Sequence, residues 1–381
     1  MKTKQLMYNK NVKTVLMVIL LISGFALINN ESFAQSSAVS TGVPFLLIGP
    51  NARFSGMGET GTAIADDATA MHWNPSGLAF QNKGTEVNFT HSPWLAGLGI
   101  GDLFYDYLAA KKYVKSLNGT VGASLTYLNI GEVIYTDETG QTNDAKNYKA
   151  YEFAFALAYA TKVSQSLGVG LTTRFIYSRL SPNDLSVGNE RGNGTAFTTS
   201  FDLSMLWRPV TGPKFLKDKF SFGLNLSNLG PKISYVDAAQ ADPLPTQLRF
   251  GVAYDLVKTQ FNKLTVSADF AKLLVNRYTD DANQPQSDPF YKAIFTSFKG
   301  GISGIAKTIQ TSVGAEYVYN NLIALRGGYF YEDPSNGNRK FITLGAGIKY
   351  NIYGFDFSYI NTIEENHPLA NTLRFGLNVN F

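Results

Sequence analysis

The chain has 381 residues, of which 44% are apolar, 13% aromatic and only 16% charged. Soluble globular domains carry about 25% charged residues, so this chain is poor in charge for its length. The absence of cysteine excludes disulfides, thiolate metal sites and a cysteine nucleophile, and three histidines leave little for a zinc site or a histidine base.

The first 34 residues have the pattern of a secretory signal peptide. Lysines precede an apolar stretch over residues 15–28, and residues 32–34 (Ser-Phe-Ala) form a small-x-small cleavage site. The alternative, a helical anchor that stays in place, is disfavoured because Ser23-Gly24 interrupts an apolar run that is already short. The predicted mature chain begins at Gln35. Without the N-terminal lysines its net charge is near zero, so it has no basic field to attract nucleic acid. Export without cysteine suggests a Gram-negative envelope.

Residues 35–84 show no alternation of apolar and polar side chains. These roughly 50 residues are too few for a sturdy domain of their own, so they either fold into the domain that follows or remain beside it. Gly56-Met57-Gly58-Glu59-Thr60-Gly61 matches the G-x-G-x-x-G pattern of dinucleotide sites. Such a site also needs a buried strand before the glycines and an acidic residue about 20 positions later, and neither is present. The glycines instead indicate tight backbone turns in a narrow space.

The adjacent carboxylates of Asp66 and Asp67 are a poor catalytic pair. Adjacent residues rarely converge on one substrate atom, and no base or nucleophile is recognisable nearby. We expect a turn or capping role, or a salt bridge to an arginine of a later strand such as Arg174. His72 and Trp73 are expected to wedge this segment in place rather than bind a ligand. The sequence therefore predicts no enzyme, no cofactor and no metal site.

From residue 85 onward the dominant pattern has a period of two. Phe153, Phe155, Leu157 and Tyr159 alternate with small or polar residues, and similar rows recur as far as the C-terminus. Such alternation places one set of side chains on each face of a sheet. Fourteen segments between residues 85 and 381 show it. In the weakest of them, 105–113, the Lys111-Lys112 pair must lie near a strand end.

Three features favour a membrane barrel over a soluble sandwich, which would also alternate. Many segments have ten residues or more, close to the 9–11 that cross a bilayer at a tilt. Tyrosines tend to close the apolar rows, as interfacial girdles require. The opposite face is small or polar, which suits a lumen. The sequence thus predicts an all-β fold, a 14-stranded antiparallel transmembrane barrel of the outer membrane.

The connections between the predicted strands alternate between long and short along the chain. Outer-membrane barrels have long outer loops and tight periplasmic turns, so an even strand number with both termini on the periplasmic side follows. The last strand carries an unbroken apolar row from Leu373 to the terminal Phe381. This row resembles the C-terminal signal that the barrel assembly machinery reads.

The segment before the first strand resembles the hatch of the FadL-type barrels. The similar runs are Ala52-Arg53-Phe54-Ser55-Gly56-Met57-Gly58, Ala63-Ile64-Ala65-Asp66-Asp67-Ala68 and Asn74-Pro75-Ser76-Gly77-Leu78. That family has fourteen strands and a small N-terminal plug, in agreement with the strand count. The implied domains are a cleaved signal peptide (1–34), a hatch inside the barrel (35–84) and the barrel (85–381). The implied hatch residues are Arg53, Gly56, Gly58, Asp66, Asp67, Trp73, Asn74 and Pro75.

Within that superfamily, three motifs resemble the PorV/PorQ family of the type IX secretion system of Bacteroidetes. They are Ala52-Arg53 with Gly56-Met57-Gly58, His72-Trp73-Asn74-Pro75, and His91-Ser92-Pro93-Trp94-Leu95. Ser76-Gly77-Leu78 stands where Ala-Lys-Tyr is expected, which leaves PorV and a paralogue both open. The resemblance implies an outer-membrane subunit that binds the large translocon barrel and collects cargo proteins by their C-terminal signal domains. It would deliver them to the sortase-like attachment complex, where cargo is joined to lipopolysaccharide.

Two predicted outer loops are candidates for contact with such partners. Residues 93–101 are wholly apolar although the topology places them outside the membrane; they form either a contact site or a lid folded over the barrel mouth. The loop over 273–308 is long enough to be functional, and its aromatic residues suggest an amphipathic cap. The residues singled out are Pro93, Trp94, Leu95, Leu98, Ile100, Phe290, Tyr291 and Phe295.

Two functions follow from these observations, and a structural or adhesin-like barrel is a weaker third. The first is the type IX cargo carrier, with outer-membrane lipid as its surroundings. The second is a FadL-like channel for hydrophobic small molecules, in which the 93–101 loop captures the ligand and a kink in the wall near the hatch releases it sideways into the membrane. A channel needs no partner protein, whereas a carrier travels with a translocon.

Overall fold

The computed structural model describes most of the chain after the predicted signal peptide. The described residues are 40–95, 102–134, 136, 140–142, 147–181, 185–187, 190–192, 194–236, 241–281, 283–364 and 367–381. The predicted signal peptide and the predicted contact residues Leu98 and Ile100 lie outside them.

Fourteen antiparallel strands of the described chain form a closed barrel, which confirms the predicted fold. Each strand pairs with the next, and β1 pairs with β14 to close the wall. The strands are β1 (Thr85–Pro93), β2 (Phe104–Val114), β3 (Gly119–Val133), β4 (Tyr148–Lys162), β5 (Leu167–Arg179), β6 (Thr195–Trp207), β7 (Phe220–Leu229), β8 (Gln247–Lys258), β9 (Asn262–Leu273), β10 (Ile309–Tyr319), β11 (Ile323–Tyr331), β12 (Lys340–Tyr350), β13 (Tyr353–Thr362) and β14 (Thr372–Asn380).

The two faces of the wall differ as the period-two pattern predicts. On β4, Phe155, Leu157 and Tyr159 are exposed outward, while the alanines between them are buried on the lumen side. The outward row runs from Tyr151 to Tyr159. At a strand rise of about 3.3 Å and a tilt of about 40°, this row covers roughly 20 Å along the barrel axis, close to the apolar band of a membrane barrel.

An aromatic row crosses the outward face of neighbouring strands. The rings of Phe104 and Tyr127 lie 5.9 Å apart, those of Tyr127 and Tyr151 6.0 Å, and those of Tyr151 and Tyr177 6.0 Å. Tyrosines at the edge of an apolar band occupy the membrane–water interface, where their hydroxyl groups reach water. We call this set the aromatic row.

The connections define the two ends of the barrel. Those after odd-numbered strands are mostly long and form the long-loop end, and those after even-numbered strands form the short-turn end. The long-loop end carries two small hairpins, Leu185–Val187 with Glu190–Gly192 and Arg277–Thr279 with Pro285–Ser287. It also carries helices α3 (Phe290–Thr296) and α4 (Gly301–Lys307) and a 3-10 turn, Pro334–Asn336. Lys115–Leu117 is a 3-10 turn at the opposite end. No helix of the described chain is long and apolar enough to cross a membrane.

Residues 40–84 fill the lumen and are called the hatch below. They contain two single-turn helices, α1 (Ala52–Ser55) and α2 (Ala70–Trp73), and two 3-10 helices, Pro44–Leu47 and Pro75–Phe80. Their side chains pack against inward-facing residues of the wall, and the two sets together form most of the buried core. The hatch is therefore an integral part of the folded barrel.

The hatch begins at the long-loop end and finishes at the short-turn end. Arg277 of a long connection donates to the carbonyl oxygen of Ser40, and Gly42 N donates to Pro243 O at 3.0 Å. At the other end Lys111 Nζ donates to Lys83 O at 3.1 Å. The first described residues thus lie at the end opposite the C-terminus, whereas the sequence predicted both termini at the short-turn end. Burial of the apolar 43–46 stretch under the long connections holds them there.

Glycines of the wall let the hatch backbone approach closely. A Cβ on Gly328 of β11 would collide with the backbone nitrogen of Gly58, and a Cβ on Gly223 of β7 would collide with the carbonyl oxygen of Thr62. Gly58 itself has a φ of 68°, in the left-handed region that glycine tolerates. The hatch and wall are fitted to each other at the level of the main chain.

We expect Gly328→Val to unseat the hatch while the barrel still closes, because valine suits a strand but has no room on this face. The neighbouring Gly327→Val is the matched control, since a Cβ there meets nothing nearer than 3.9 Å. Limited trypsin digestion at Arg53 reports on the hatch, and heat-modifiable migration in gels reports on the barrel. Equal trypsin resistance of the two variants would contradict the close fit.

Candidate functional site: the hatch and the barrel mouth

Arg53 of α1 joins the hatch to the barrel wall. Its Nη1 donates to Asp66 Oδ1 at 2.6 Å and to Asp67 Oδ2 at 3.0 Å. Its Nε and Nη2 donate to the two carboxylate oxygens of Glu316 on β10, at 3.1 and 2.7 Å. One guanidinium therefore holds three carboxylates in a planar, bidentate geometry that a lysine would not reproduce.

The acidic pair has a different arginine partner from the one suggested by the sequence. Asp66 and Asp67 pair with Arg53, whereas Arg174 pairs with Asp202 on the neighbouring strand at 2.9 Å. Asp67 also has the predicted turn role, because its Oδ1 accepts from Thr69 N at 2.9 Å. Burial raises the pKa of Asp66, but the charges of Arg53, Lys263 and Arg208 outweigh it and hold that pKa at about 2.

The ion pairs continue from the hatch around the inner wall. Arg326 of β11 contacts Glu316 at 3.2 Å and Asp356 of β13 at 2.7 Å. Asp356 in turn accepts from Asn378 Nδ2 of β14 at 2.7 Å. We call Arg53, Glu316, Arg326 and Asp356 the hatch network. Its charges alternate in sign, so each buried group has an opposite neighbour.

Asp269 of β9 fixes the glycine motif of the hatch. Its Oδ2 accepts from Gly61 N at 3.0 Å, from Thr62 N at 2.9 Å and from Thr62 Oγ1 at 2.6 Å. A Cβ on Gly56 would lie 2.9 Å from the backbone of Gly345, which shows how close the motif comes to the wall. The glycines of the motif make close backbone contact with the wall, and the described strands beside them pair antiparallel.

Trp73, Asn74 and Pro75 form the centre of the hatch. Trp73 is 1% exposed, and its Nε1 donates to Asn51 Oδ1 at 3.0 Å. Asn74 Nδ2 donates to the hatch carbonyl of Thr62 at 2.8 Å and to the wall carbonyl of Met205 at 3.0 Å. Pro75 starts the following 3-10 helix, where its missing N–H is not needed. These side chains brace the hatch against the wall.

His72 borders two small cavities in the lumen. Two cavities of about 10 Å³ flank it, each large enough for about one water molecule, and Arg174 lines both. Burial and the nearby charges of Arg249 and Arg174 lower the pKa of His72 well below its usual value, so the ring is neutral. No group of three or more His, Asp or Glu side chains in the described chain is placed to hold a metal ion.

The described part of the 93–101 loop turns toward the barrel mouth. The Trp94 ring lies 6.1 Å from that of Tyr105, and the guanidinium carbon of Arg374 lies 5.6 Å from its centre. Trp94 N donates to Leu103 O at 3.0 Å. Pro93 ends β1, and Leu95 turns the chain with a φ of 51°. The described start of the loop thus packs on the barrel mouth, and the contact site and the lid both stay predictions for the loop as a whole.

The aromatic residues of the other predicted loop lie on helix α3. Phe290, Tyr291 and Phe295 belong to this helix, and the edge of the Phe290 ring faces Phe201 of β6 at 6.2 Å between ring centres. Phe201 is on the outward face, so the helix lies against the outside of the wall. This position separates Phe290, Tyr291 and Phe295 from Trp94 at the mouth.

Sequence reasoning missed the wall residues that receive the hatch. Glu316, Arg326 and Asp269 are buried at inward positions of their strands, and Asp356 faces inward to pair with Arg326. The available signal was their charge: an ionisable residue within a membrane-spanning strand must face the lumen and find a partner there. Nothing in the sequence says which of several such residues meets Arg53.

Comparisons with known proteins agree with this architecture. The family model described as "Type IX secretion system protein PorV" matches residues 31–280. Among solved structures, the Ralstonia pickettii toluene transporter TbuX is 15% identical with a TM-score of 0.50, covering 88% of this chain and 97% of that chain. The Pseudomonas putida toluene transporter TodX is 11% identical with a TM-score of 0.53, covering 87% and 99%. These likenesses show the fold. No curated protein was found to match the chain.

We expect Arg53→Met to free the hatch by leaving carboxylates at its site without a cation. Removing one partner of a buried pair costs about 3–5 kcal/mol, so the thermal midpoint should fall and transient ion currents should appear in planar bilayers. Lys258→Met is the matched control, because Lys258 is a half-exposed cation 3.1 Å from Asp255 and should cost less than about 1 kcal/mol. If the ion currents of Arg53→Met are no larger or more frequent than those of the unaltered barrel, the hatch network does not retain the hatch.

Proposed function

Because the chain belongs to the family of the type IX secretion system protein PorV, we propose that it is a cargo carrier of that system in the outer membrane. It binds the large translocon barrel, collects cargo proteins by their C-terminal signal domains and brings them to the surface attachment complex. Its long-loop end faces the cell exterior. It acts through its surfaces and performs no chemistry of its own.

The filled lumen is the observation that best supports a carrier. The hatch packs against the wall from end to end, and the two cavities beside His72 each hold about one water molecule. A protein that conducts needs a continuous path, whereas a protein that docks needs only a rigid exterior. The hatch network and the Asp269 contacts supply that rigidity.

The mouth is the surface that we assign to partners. Pro93, Trp94 and Leu95 start an apolar connection at the long-loop end, and sequence places Leu98 and Ile100 later in it. Trp94 rests on Tyr105 and Arg374, which gives the start of the loop a fixed platform. A β-rich signal domain or the translocon would bind the apolar side chains that follow.

A channel for hydrophobic small molecules is the second candidate. The fold likeness to two toluene transporters favours it, since those proteins share the closed barrel and much of its length. In this chain such transport would require either an opening in the wall beside the hatch, through which the ligand leaves sideways, or a hatch that leaves its contacts with Glu316 and Asp269. The channel hypothesis therefore predicts an opening in the wall or a mobile hatch, and the carrier hypothesis predicts neither.

Partners captured from the native membrane separate the two functions. The tagged protein is extracted from its own outer membrane in mild detergent and analysed by mass spectrometry. A carrier is expected to bring down a very large barrel protein or secreted cargo. Recovery of the barrel alone, with bound lipid or hydrocarbon, would favour the channel.

We expect Leu98→Asp and Trp94→Asp to abolish cargo export while the barrel still folds. A carboxylate at position 94 would lie beside Arg374, whose Nε and Nη1 have no hydrogen-bond partner among the described residues, so the fold should tolerate it. Ile363→Asp is the control, because Ile363 is an exposed apolar residue in another long connection. Normal secretion by both loop variants, measured by immunoblotting of the culture medium, would remove the loop from the carrier surface.

A further inference from the structure

The segment 289–308, which we call the strap, lies on the outside of the barrel near the long-loop end. It contains α3 and α4 and contacts the wall at two places. Phe290 packs against Phe201 of β6, and Lys272 Nζ of β9 lies 5.4 Å from the centre of the Phe298 ring. Lys272 belongs to the outward series of its strand yet is only 6% exposed. The strap therefore passes across the outer face of the wall between β6 and β9.

The strap reaches below the aromatic row. On β6, Phe197 pairs with Tyr177, the member of the aromatic row on β5. Phe201 lies four residues farther toward the short-turn end. With a rise of about 3.3 Å per residue and a tilt of about 40°, that separation is roughly 10 Å along the barrel axis. The start of α3 is thus at a depth where the wall faces lipid.

The outer side of the strap is apolar and uncovered. Phe295 is 78% exposed and Ile302 is 91% exposed, and Tyr291 and Phe298 are exposed as well. Contiguous apolar surface of this kind marks contact with a partner or with a membrane. It continues the lipid-facing surface of β6 through Phe201 and Phe290, which identifies the neighbouring phase as lipid.

The charge of the strap has one sign. It contains Lys292, Lys299 and Lys307 and no Asp or Glu. Lys292 is held by Asp288, which precedes the strap, at 2.9 Å. Lys299 and Lys307 are exposed and form no ion pair within the described chain. Short helices that combine lysines with exposed aromatic and aliphatic residues are suited to the boundary between lipid tails and anionic headgroups.

We propose that the strap is an in-plane membrane anchor that binds lipopolysaccharide. Its apolar side chains enter the outer leaflet beside β6–β9, and Lys299 and Lys307 bind the phosphate groups of lipid A. The identity of the leaflet rests on the orientation given by the proposed function. The anchor adds a lipid contact on one side of the barrel only, and so sets which part of the wall faces lipopolysaccharide and which part is left for a partner.

Insertion is measured by labelling single cysteines, which is straightforward because the chain has none. Phe295→Cys and Ile302→Cys carry an NBD dye, and the barrels are placed in phosphatidylcholine nanodiscs with lipopolysaccharide and a shallow nitroxide lipid. Leu344→Cys, on the outward face of β12, is the positive control, and Asp281→Cys, in the exposed hairpin turn before the strap, is the negative control. Quenching at positions 295 and 302 comparable to that at 344 supports the anchor. Fluorescence at both positions that matches position 281 overturns it.

The lysines are tested with Lys299→Gln/Lys307→Gln, compared with Lys299→Arg/Lys307→Arg. Each lysine near an anionic surface favours binding by about fivefold, so the Gln pair should lower the inserted fraction in lipopolysaccharide nanodiscs and the Arg pair should not. In nanodiscs of phosphatidylcholine alone, the two pairs should behave alike. If the Gln pair leaves the inserted fraction in lipopolysaccharide nanodiscs unchanged, phosphate binding by the two lysines is contradicted.

A protein occupant of the strap gives a different result. Dyes at positions 295 and 302 would then stay unquenched in nanodiscs and become shielded only in a complex purified from native membranes, which would overturn the proposal. The nanodisc measurements use the purified barrel without translocon or cargo. A failed carrier hypothesis therefore leaves them unaffected, and a failed anchor leaves the secretion tests unaffected.

Discussion

Every charged group inside this barrel must find its partner within the protein, because the lipid around the wall offers none. The wall carries Glu316, Arg326 and Asp356 at inward positions of the membrane-spanning strands. Arg53 of the hatch places a positive charge beside Glu316, so that positive and negative side chains alternate along the network. The hatch is consequently more than a filler of space: without its guanidinium, the inner wall would have excess negative charge where water and counter-ions have little room. The closed lumen depends on this balance.

The barrel was predictable from sequence and the internal contacts were not, for one physical reason. A strand with one face toward lipid repeats every two residues, so Phe155, Leu157 and Tyr159 reveal their strand without knowledge of its neighbours. The hatch has no such repeat, and its anchor joins residues 263 positions apart in the chain. For Asp66 and Asp67 the sequence suggested a turn role or a salt bridge to a wall arginine such as Arg174, whereas the salt bridge is to Arg53 of the hatch. Only the fold places Arg53 nearer than Arg174.

Because the lumen is filled, the function is expected to depend on the outer surfaces of the molecule. Two surfaces at the long-loop end are distinct in chemistry. At the mouth, Trp94 lies over Tyr105 and Arg374, and the apolar connection that follows is attached to this platform. On the flank, the strap combines lysines with exposed Phe295 and Ile302. A barrel with an apolar mouth and with the strap on one flank is asymmetric about its axis.

The pairing of the first and last strands has a consequence for how the molecule is made. Backbone hydrogen bonds join Thr85 to Phe381, so the wall cannot close until β14 is available. The hatch already touches the wall backbone at Gly328 and Gly223, and it begins at one end of the lumen and finishes at the other. Threading these residues through a finished pore would mean passing side chains where not even a Cβ fits. The natural order is for the wall to wrap round a hatch that is already in place, with the β1–β14 seam joined last.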